Sequence, residues 1–275
     1  MSRPSDEGRG SGVSSETPSH LAHLAGNTAD SAGRAWEGRT FQPNPAAGDD
    51  GSADPALWEA LTRFRAGEGA PDQVVDAMRE ARVLVPLIAE KGDEGVGPTG
   101  LVVDKTQELS IVTVAAPDGR KVLPAFTCVD TMRAWNAEAR PIPVAGTRAA
   151  LAAAGEDTDL IVLDPTSPTE FVVRRPAVWA IAQSQPWAPA WRSDEVVRAF
   201  HESIGSELAV LDLAVEPGDP EARLRGPEVT VVLTLMQGLD RAELDTVLGR
   251  LAQRWSADDR IAVLVDSLQI ALRSE

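Results

Sequence analysis

A short segment rich in proline and tryptophan, Gln185-Pro186-Trp187-Ala188-Pro189-Ala190-Trp191, interrupts the regular hydrophobic pattern of the chain. Proline fixes φ and lacks a backbone N–H, so this segment cannot continue a helix or a central strand. Segments of this composition are typical of domain boundaries. We therefore predict two folded domains, residues 51–184 and 194–275, joined by a linker at 185–193.

The first part of the chain has a different composition. Residues 1–50 are rich in Ser, Gly, Asp, Glu and Pro and contain few large apolar side chains. Such a segment buries too little apolar surface to offset the entropy lost on ordering. We predict a disordered tail at 1–50.

Hydrophobic periodicity and turn residues predict the elements of the first domain. Asp54-Pro55 supplies an N-cap and a first-turn proline, followed by Leu57, Trp58, Leu61 and Phe64 at helical spacing. The remaining predicted elements are a helix after Pro71, strands at 83–89, 109–115, 121–126, 160–163 and 171–173, and short helices at 129–135, 147–154 and 177–184.

The second domain shows the order α-β-β-α-β. A helix is predicted at 194–204, strands at 208–215 and 229–235, and a final strand at 261–272. Asp240 and Glu243 form a capping-box pattern at the start of the second helix. This order suggests an antiparallel sheet with helices on one face. The fold class is predicted to be α+β, with two small domains, each a mostly antiparallel sheet with helices packed on it.

Charge and composition exclude several functions. The chain of 275 residues has a net charge of −16, which repels phosphate backbones and anionic lipid. No apolar run approaches the roughly 18 residues that a membrane span requires, and the first residues lack the apolar core of a signal peptide. We expect a cytoplasmic protein that binds neither nucleic acid nor membranes. Cys128 is the only cysteine, so no intrachain disulfide can form.

Two motifs suggest chemistry but depart from the required pattern. Residues 95–100 satisfy G-x-G-x-x-G, yet Pro98 removes an amide and 101–103 continue as a strand, so a hairpin turn is favoured over a dinucleotide site. Cys128 lies between a predicted strand and a predicted helix. However, Arg133 follows it after four residues rather than the five of phosphatase loops, and Asp130 would oppose a thiolate. A structural cysteine is favoured.

Other site types lack residues. His201 is the only histidine after residue 23, and no serine lies in a G-x-S-x-G elbow. Asp49, Asp50 and Asp54 resemble calcium ligands, but their spacing departs from that of an EF-hand loop, and a linker with a helix cap is favoured. We therefore predict no catalytic residue, no metal site and no cofactor.

The positive signal is aromatic. Trp135, Trp179, Trp187 and Trp191 are interleaved with prolines and fall near the predicted boundary. Such a mixture can form a rigid, partly exposed surface for a partner peptide. The alternative is that these side chains seal the contact between the two domains.

Several segments of the chain resemble the SseB family of bacteria, in the two-domain form of GC-rich genomes. They are AGDDGSADPAL (47–57), ARVLVPLIAE (81–90), DKTQELSIVTVAAPDGRKVLPAFTCVDTMRAW (104–135), ARPIPV (139–144) and RPAVWAIAQSQPW (175–187). The resemblance covers most of residues 47–275 and implies a pair of α+β domains. The family name records an association with serine sensitivity rather than a reaction, and the family usually has Ser at the position of Cys128.

Three functional hypotheses follow. The first is a non-enzymatic protein-interaction or regulatory module with an unknown protein partner. The second is a small-molecule sensor, for instance of an amino acid, with a pocket between the domains. The third is an enzyme with a dispersed carboxylate and arginine site, which would require the polar cluster Asp104, Lys105, Asp118 and Arg120 to converge in one cleft.

Overall fold

The computed structural model describes most of the chain after residue 47, in these segments: 48–89, 94–96, 102–104, 109–111, 113–116, 119–155, 158 and 160–274. The chain divides into Met1–Gly48 and a compact unit, Asp49–Glu275. The predicted tail lies outside the described residues as far as residue 47. The described residues form helices and mostly antiparallel sheets, which confirms the α+β fold class.

We call residues 49–184 the first half. Its helices are α1 (Pro55–Arg65), α2 (Pro71–Glu80), α3 (Val129–Trp135), α4 (Gly146–Gly155) and α5 (Arg175–Ala182). Its strands are β1 (Arg82–Ala89), β2 (Glu94–Val96), β3 (Val102–Asp104), β4 (Leu109–Ile111), β5 (Val114–Ala115), β6 (Lys121–Ala125), β7 (Arg140–Ala145), β8 (Ile161–Leu163) and β9 (Phe171–Val173).

Local sequence explains where α1 begins. The Asp54 carboxylate accepts hydrogen bonds from the amides of Ala56 and Leu57 at 3.0 and 3.1 Å, which satisfies two of the helix's unpaired donors. Leu57 and Leu61 are fully buried in the first-half core. The predicted cap is therefore confirmed, as are Leu57, Leu61 and Phe64 of the predicted apolar face, whereas Trp58 is 43% exposed.

Two sheets of the first half meet at one point. β1 lies between β4 and β7, and β6 lies between β5 and β8, with β9 at the outer edge. β6 and β8 are parallel, and the other pairs are antiparallel. Leu84 and Phe126 exchange two backbone hydrogen bonds of 2.8 Å, which joins the two sheets.

The edge strand β7 was not predicted, because it contains Pro141 and Pro143. Its pairing with β1 places Pro143 opposite Leu84. The Leu84 amide donates to Phe126, away from β7, so Leu84 and Pro143 form a pair without direct hydrogen bonds between them. The nitrogens of Pro143 and Pro141, two residues apart, therefore face the free edge, where proline is tolerated.

We call residues 194–274 the second half. Its elements are α6 (Asp194–Ile204), β10 (Val210–Pro217), β11 (Val229–Leu235), α7 (Arg241–Ala257), α8 (Asp259–Leu264) and β12 (Leu268–Ser274). The capping box of Asp240 and Glu243 at the start of α7 is confirmed. The second-half core joins Phe200 of α6, Leu251 and Trp255 of α7 and Val231 of β11.

Two predicted strands are wrong in extent. Residues 259–264 are helical rather than extended, and Asp258 caps this helix by accepting from the Arg260 amide at 2.9 Å. Because α7 and α8 carry the chain across the sheet, β12 pairs with β11 in parallel. The predicted strand 109–115 is divided: β4 pairs with β1, whereas β5 pairs with β6.

The two halves pack against each other through a loop of the second half. Leu224, between β10 and β11, lies in a cluster with Val122, Leu160, Val162 and Val172 of the first half. The backbone oxygen of Ala222 accepts from the Val172 amide at 2.8 Å, so the loop also pairs with the edge of β9. The boundaries predicted for two separate domains stay a prediction. In the part of the chain that is described, no helix is long and apolar enough to span a membrane.

Candidate functional site

The proline- and tryptophan-rich segment runs between the two halves. It follows α5, forms one 3-10 turn at Ala190–Arg192, and ends at Ser193, whose hydroxyl caps α6 by accepting from Val196 N at 3.4 Å. The segment borders a groove of about 400 Å³, which we call the tryptophan groove. Its lining residues include Pro176, Trp179, Gln183, Gln185, Pro186, Trp187, Ala188, Glu195 and Val263.

Trp179 is fixed in the wall of this groove by its neighbour on α5. The guanidinium carbon of Arg175 lies 5.4 Å from the centre of the Trp179 ring. The same guanidinium donates to the backbone oxygens of Ala262 and Val265 at 3.2 and 3.0 Å. Arg175 therefore ties α5 to the end of α8 and holds a half-buried indole at the groove surface.

The four predicted tryptophans do not form one cluster. Trp179 and Trp187 line the tryptophan groove, and Trp187 and Trp191 line a small cavity of about 30 Å³ between the halves. Trp135 lies elsewhere and packs on Phe126, with ring centres 5.3 Å apart. The structure thus brings together three of the four.

A buried ionic network, which we call the junction network, lies beside these tryptophans. Arg174, at the end of β9, is 7% exposed and pairs with Asp219 at 2.8 Å and with Asp266 at 3.0 Å. It also donates to the backbone oxygen of Gly226 at 2.7 Å. It donates to the Ser267 hydroxyl at 3.3 Å as well, so one first-half guanidinium binds four groups of the second half.

Glu228 is the unbalanced member of the junction network. It is 2% exposed, and its Oε2 accepts from the Asp266 amide at 2.6 Å, whereas Oε1 accepts no hydrogen bond of ordinary length. Burial raises the pKa of Glu228 to about 7, and the nearby charge of Asp266 acts in the same direction. Arg174 lowers the pKa only in part, because two other carboxylates share its charge.

The predicted polar cluster is described only in part. Arg120 pairs with both oxygens of Asp266 at 2.9 and 3.0 Å and so belongs to the junction network. Lys105 and Asp118 lie outside the described residues, and only the backbone of Asp104 is described, paired with Glu94. Convergence of these four residues stays a hypothesis.

A second, more open groove lies over Arg120. It has a volume of about 760 Å³ and is lined by Arg120, Leu224, Arg225, Gly226, Pro227, Asp266 and Ser267. The groove carries the guanidinium groups of Arg120 and Arg225, whereas the Asp266 carboxylate and the Ser267 hydroxyl already bond to each other. Its floor is rigid, because Asp219 accepts from the amides of Arg223 and Leu224.

Cys128 occupies the N-cap position of α3 and is half-buried. The amide of Val129 donates to the Gly51 backbone oxygen at 2.9 Å, so this donor is already used within the chain. Arg133 is exposed. The loop is held by Asp164, a fully buried carboxylate that accepts hydrogen bonds from Thr127, Thr131 and Thr169.

The remaining sequence motifs have local roles. Asp49 pairs with Arg82 at 2.6 Å, Asp50 accepts from Ser52, and Asp54 caps α1. The Ser52 hydroxyl is the main cause that lowers the pKa of Asp50. His201 is exposed on α6. Within the segments that are described, no three His, Cys, Asp or Glu side chains are placed to hold a metal ion.

The G-x-G-x-x-G motif lies between two paired strands. β2 and β3 are antiparallel, with Val96 opposite Val102, as the predicted hairpin requires. Residues 97–101 of the turn itself lie outside the described residues.

Sequence reasoning missed the junction network. Arg174, Asp219, Glu228 and Asp266 follow no motif, and the partners of Arg174 lie 45 and 92 residues away. One local signal exists: Arg174 follows three buried strand residues, Phe171–Val173, where a charge needs a partner.

Residues 57–180 match the family described as SseB protein N-terminal domain. This match confirms the resemblance seen in the sequence for residues 57–180, which run from the first turn of α1 into α5. No curated protein and no solved structure matches the chain.

Proposed function

We propose that this chain, which belongs to the SseB family through residues 57–180, is a non-enzymatic protein-interaction or regulatory module. The partner binds at the tryptophan groove. The observation that carries this proposal is the presence of two half-buried indoles, Trp179 and Trp187, in one groove of about 400 Å³. Aromatic side chains on a rigid frame are typical anchors of protein interfaces.

Neighbouring features support the groove as a preformed surface. Arg175 holds Trp179 from one side, and the cap of α6 at Ser193 ends the segment that carries Trp187. Val263 in the same wall is 44% exposed, so apolar surface is available to a partner. A rigid surface loses little conformational entropy when it binds.

Affinity purification from the native cell tests this function. The full chain, a Trp187→Ala variant and a Trp58→Ala variant serve as bait; Trp58 is 43% exposed and does not line the groove, so it is the matched control. We expect a partner with the wild type and with Trp58→Ala, and its loss with Trp187→Ala. Equal recovery by all three baits would refute the proposal.

A second candidate function is favoured by the groove over Arg120. Arg120 and Arg225 place two guanidinium groups in this groove to bind the carboxylate of a small molecule such as an amino acid; Asp266 is 3% exposed and already pairs with Arg120 and Arg174. A ligand that binds only the folded state raises the unfolding temperature. A thermal-shift screen of amino acids, repeated with Arg225→Ala, tests this function, and no shift at millimolar ligand would count against it.

A further inference from the structure

We propose that the segment bound in the tryptophan groove is a proline-rich peptide that carries an arginine or lysine. This inference rests on the proposed function of the groove and narrows it to one class of ligand. The shape of the groove, its hydrogen-bonding groups and its charge support this ligand.

The surface of the groove suits an extended, proline-rich chain. Trp179 and Trp187 provide flat aromatic surfaces, and Pro176 and Pro186 add rigid rings between them. Polyproline II segments bind in aromatic-lined grooves because their conformation is already ordered before binding. The volume of about 400 Å³ fits a few residues of such a chain.

The hydrogen-bonding groups of the groove favour the same ligand. Gln183 and Gln185 line the groove with exposed side chains whose amides carry N–H donors, and Gln185 Nε2 lies 3.5 Å from the Gln183 backbone oxygen. Each lining tryptophan also carries one indole N–H. A proline-rich segment presents backbone carbonyl acceptors and few N–H donors. Donors of the groove and acceptors of the peptide are therefore complementary.

The charge of the groove selects the basic residue. Glu195 is the one charged side chain among the described residues that line it, and it is exposed in the first turn of α6. The Arg175 guanidinium beside Trp179 does not line the groove and donates to the backbone oxygens of Ala262 and Val265. Asp259 precedes the lining residue Val263 by one turn of α8, which places a second carboxylate near the same wall. The net charge of −16 extends this attraction to the whole molecule.

Selection from a random peptide display library against the full chain tests the inference without assuming a sequence. Enriched peptides are synthesised, and their dissociation constants are measured against the wild type, Trp187→Ala and the control Trp58→Ala. We expect peptides with at least two prolines and one Arg or Lys. Their affinity should fall about tenfold or more with Trp187→Ala, as for an aromatic anchor, and stay unchanged with Trp58→Ala.

Two surface variants keep the test independent of folding. Ala188 is exposed in the groove, so Ala188→Arg should block a basic peptide while thermal melting shows an unchanged fold. Glu195→Gln should weaken binding about threefold and reduce its dependence on salt, as for an exposed ion pair.

The possible outcomes separate the two proposals. Peptides that depend on Trp187 but lack proline or a basic residue would overturn this inference and leave the groove as the binding surface. Enriched peptides that bind Trp187→Ala and Ala188→Arg as well as the wild type would overturn both proposals.

Discussion

Two clusters of carboxylates and arginines differ in how they are balanced. The junction network, between the halves, places Asp219, Asp266 and Glu228 around Arg174, with Arg120 at its edge. The second cluster, within the second half, we call the Glu207 cluster. There a single carboxylate accepts two hydrogen bonds of 2.7 Å from Arg250 and one of 2.9 Å from Arg254.

The same residue types therefore shift a glutamate pKa in opposite directions. The hydrogen bond from Arg250 is the main cause that lowers the pKa of Glu207, whereas burial raises that of Glu228 to about 7. The number of guanidiniums per carboxylate, together with burial, decides the sign. In the junction network the carboxylates thus outnumber the guanidinium groups, whereas in the Glu207 cluster two guanidinium groups bind one carboxylate.

Removing Arg174 should produce the largest difference between the two clusters. Arg174→Met leaves the buried carboxylate of Asp219 without its guanidinium partner, while Asp266 keeps Arg120, and breaking a buried pair in this way costs about 3–5 kcal/mol. We expect a large loss in the free energy of unfolding by urea at pH 7.5. Arg250→Met is the matched control and should lose much less, because Arg254 remains and Arg250 is half-exposed. Equal losses would contradict the comparison.

The apolar part of the contact should give the next largest effect. Leu224 is 6% exposed, and Leu224→Ala should destabilise the protein by about 2–4 kcal/mol through lost burial and a cavity. Leu272→Ala, at a side chain that is 45% exposed, should change stability by less than about 0.5 kcal/mol. Both losses are measured by urea unfolding. A value for Leu224→Ala as small as that of the control would show that the halves do not depend on this contact.

Neutralising Glu228 should stabilise the protein at high pH. Its folded pKa of about 7 lies above the ordinary glutamate value of 4.5, so the favourable contribution of Glu228 is complete below about pH 4.5 and is lost as pH rises through 7. Each pKa unit corresponds to about 1.4 kcal/mol, so Glu228→Gln should gain up to roughly 3 kcal/mol at pH 8. Unfolding temperatures of both proteins, compared at pH 5 and pH 8, measure this gain. A gain that is larger at pH 5 would contradict the assignment.

Neutralising Glu207 should have a smaller effect of the opposite sign. A lowered pKa contributes stability above the unfolded value, and this contribution is lost as pH falls through the folded pKa. Glu207→Gln should therefore lower the unfolding temperature modestly at pH 7, and this loss should shrink as the pH falls toward 3. A loss that persists unchanged at pH 3 would mean that packing, rather than charge, explains the effect.

Local patterns predicted the elements that local chemistry determines. The helix of residues 129–135 and the strand 229–235 have the predicted bounds, and the caps at Asp54 and Asp240 are as expected. These features depend on periodicity and on residues within one turn. The strand predicted at residues 261–272 is wrong at 261–264, because a short apolar run such as Ile261–Leu264 is equally compatible with a helix and a strand.

The candidate site was predictable only where its residues are close in the sequence. Trp187 and Trp191 were named because they lie within one segment, and Trp179 because it is close by. Trp135 was predicted to share a surface with these tryptophans, but it lies elsewhere and packs on Phe126. Glu195 and Val263 reach the groove only through the fold of the chain, and so do the partners of Arg174. No local sequence pattern predicts these contacts.

The two prolines of β7 have a consequence for how the protein behaves in a crowded solution. A free sheet edge normally recruits strands from other molecules through its outward N–H groups, and this is one route to fibres. At Pro141 and Pro143 those groups are replaced by ring carbons along a strand of six residues. Further strands cannot be added at this edge, so the first half resists polymerisation there.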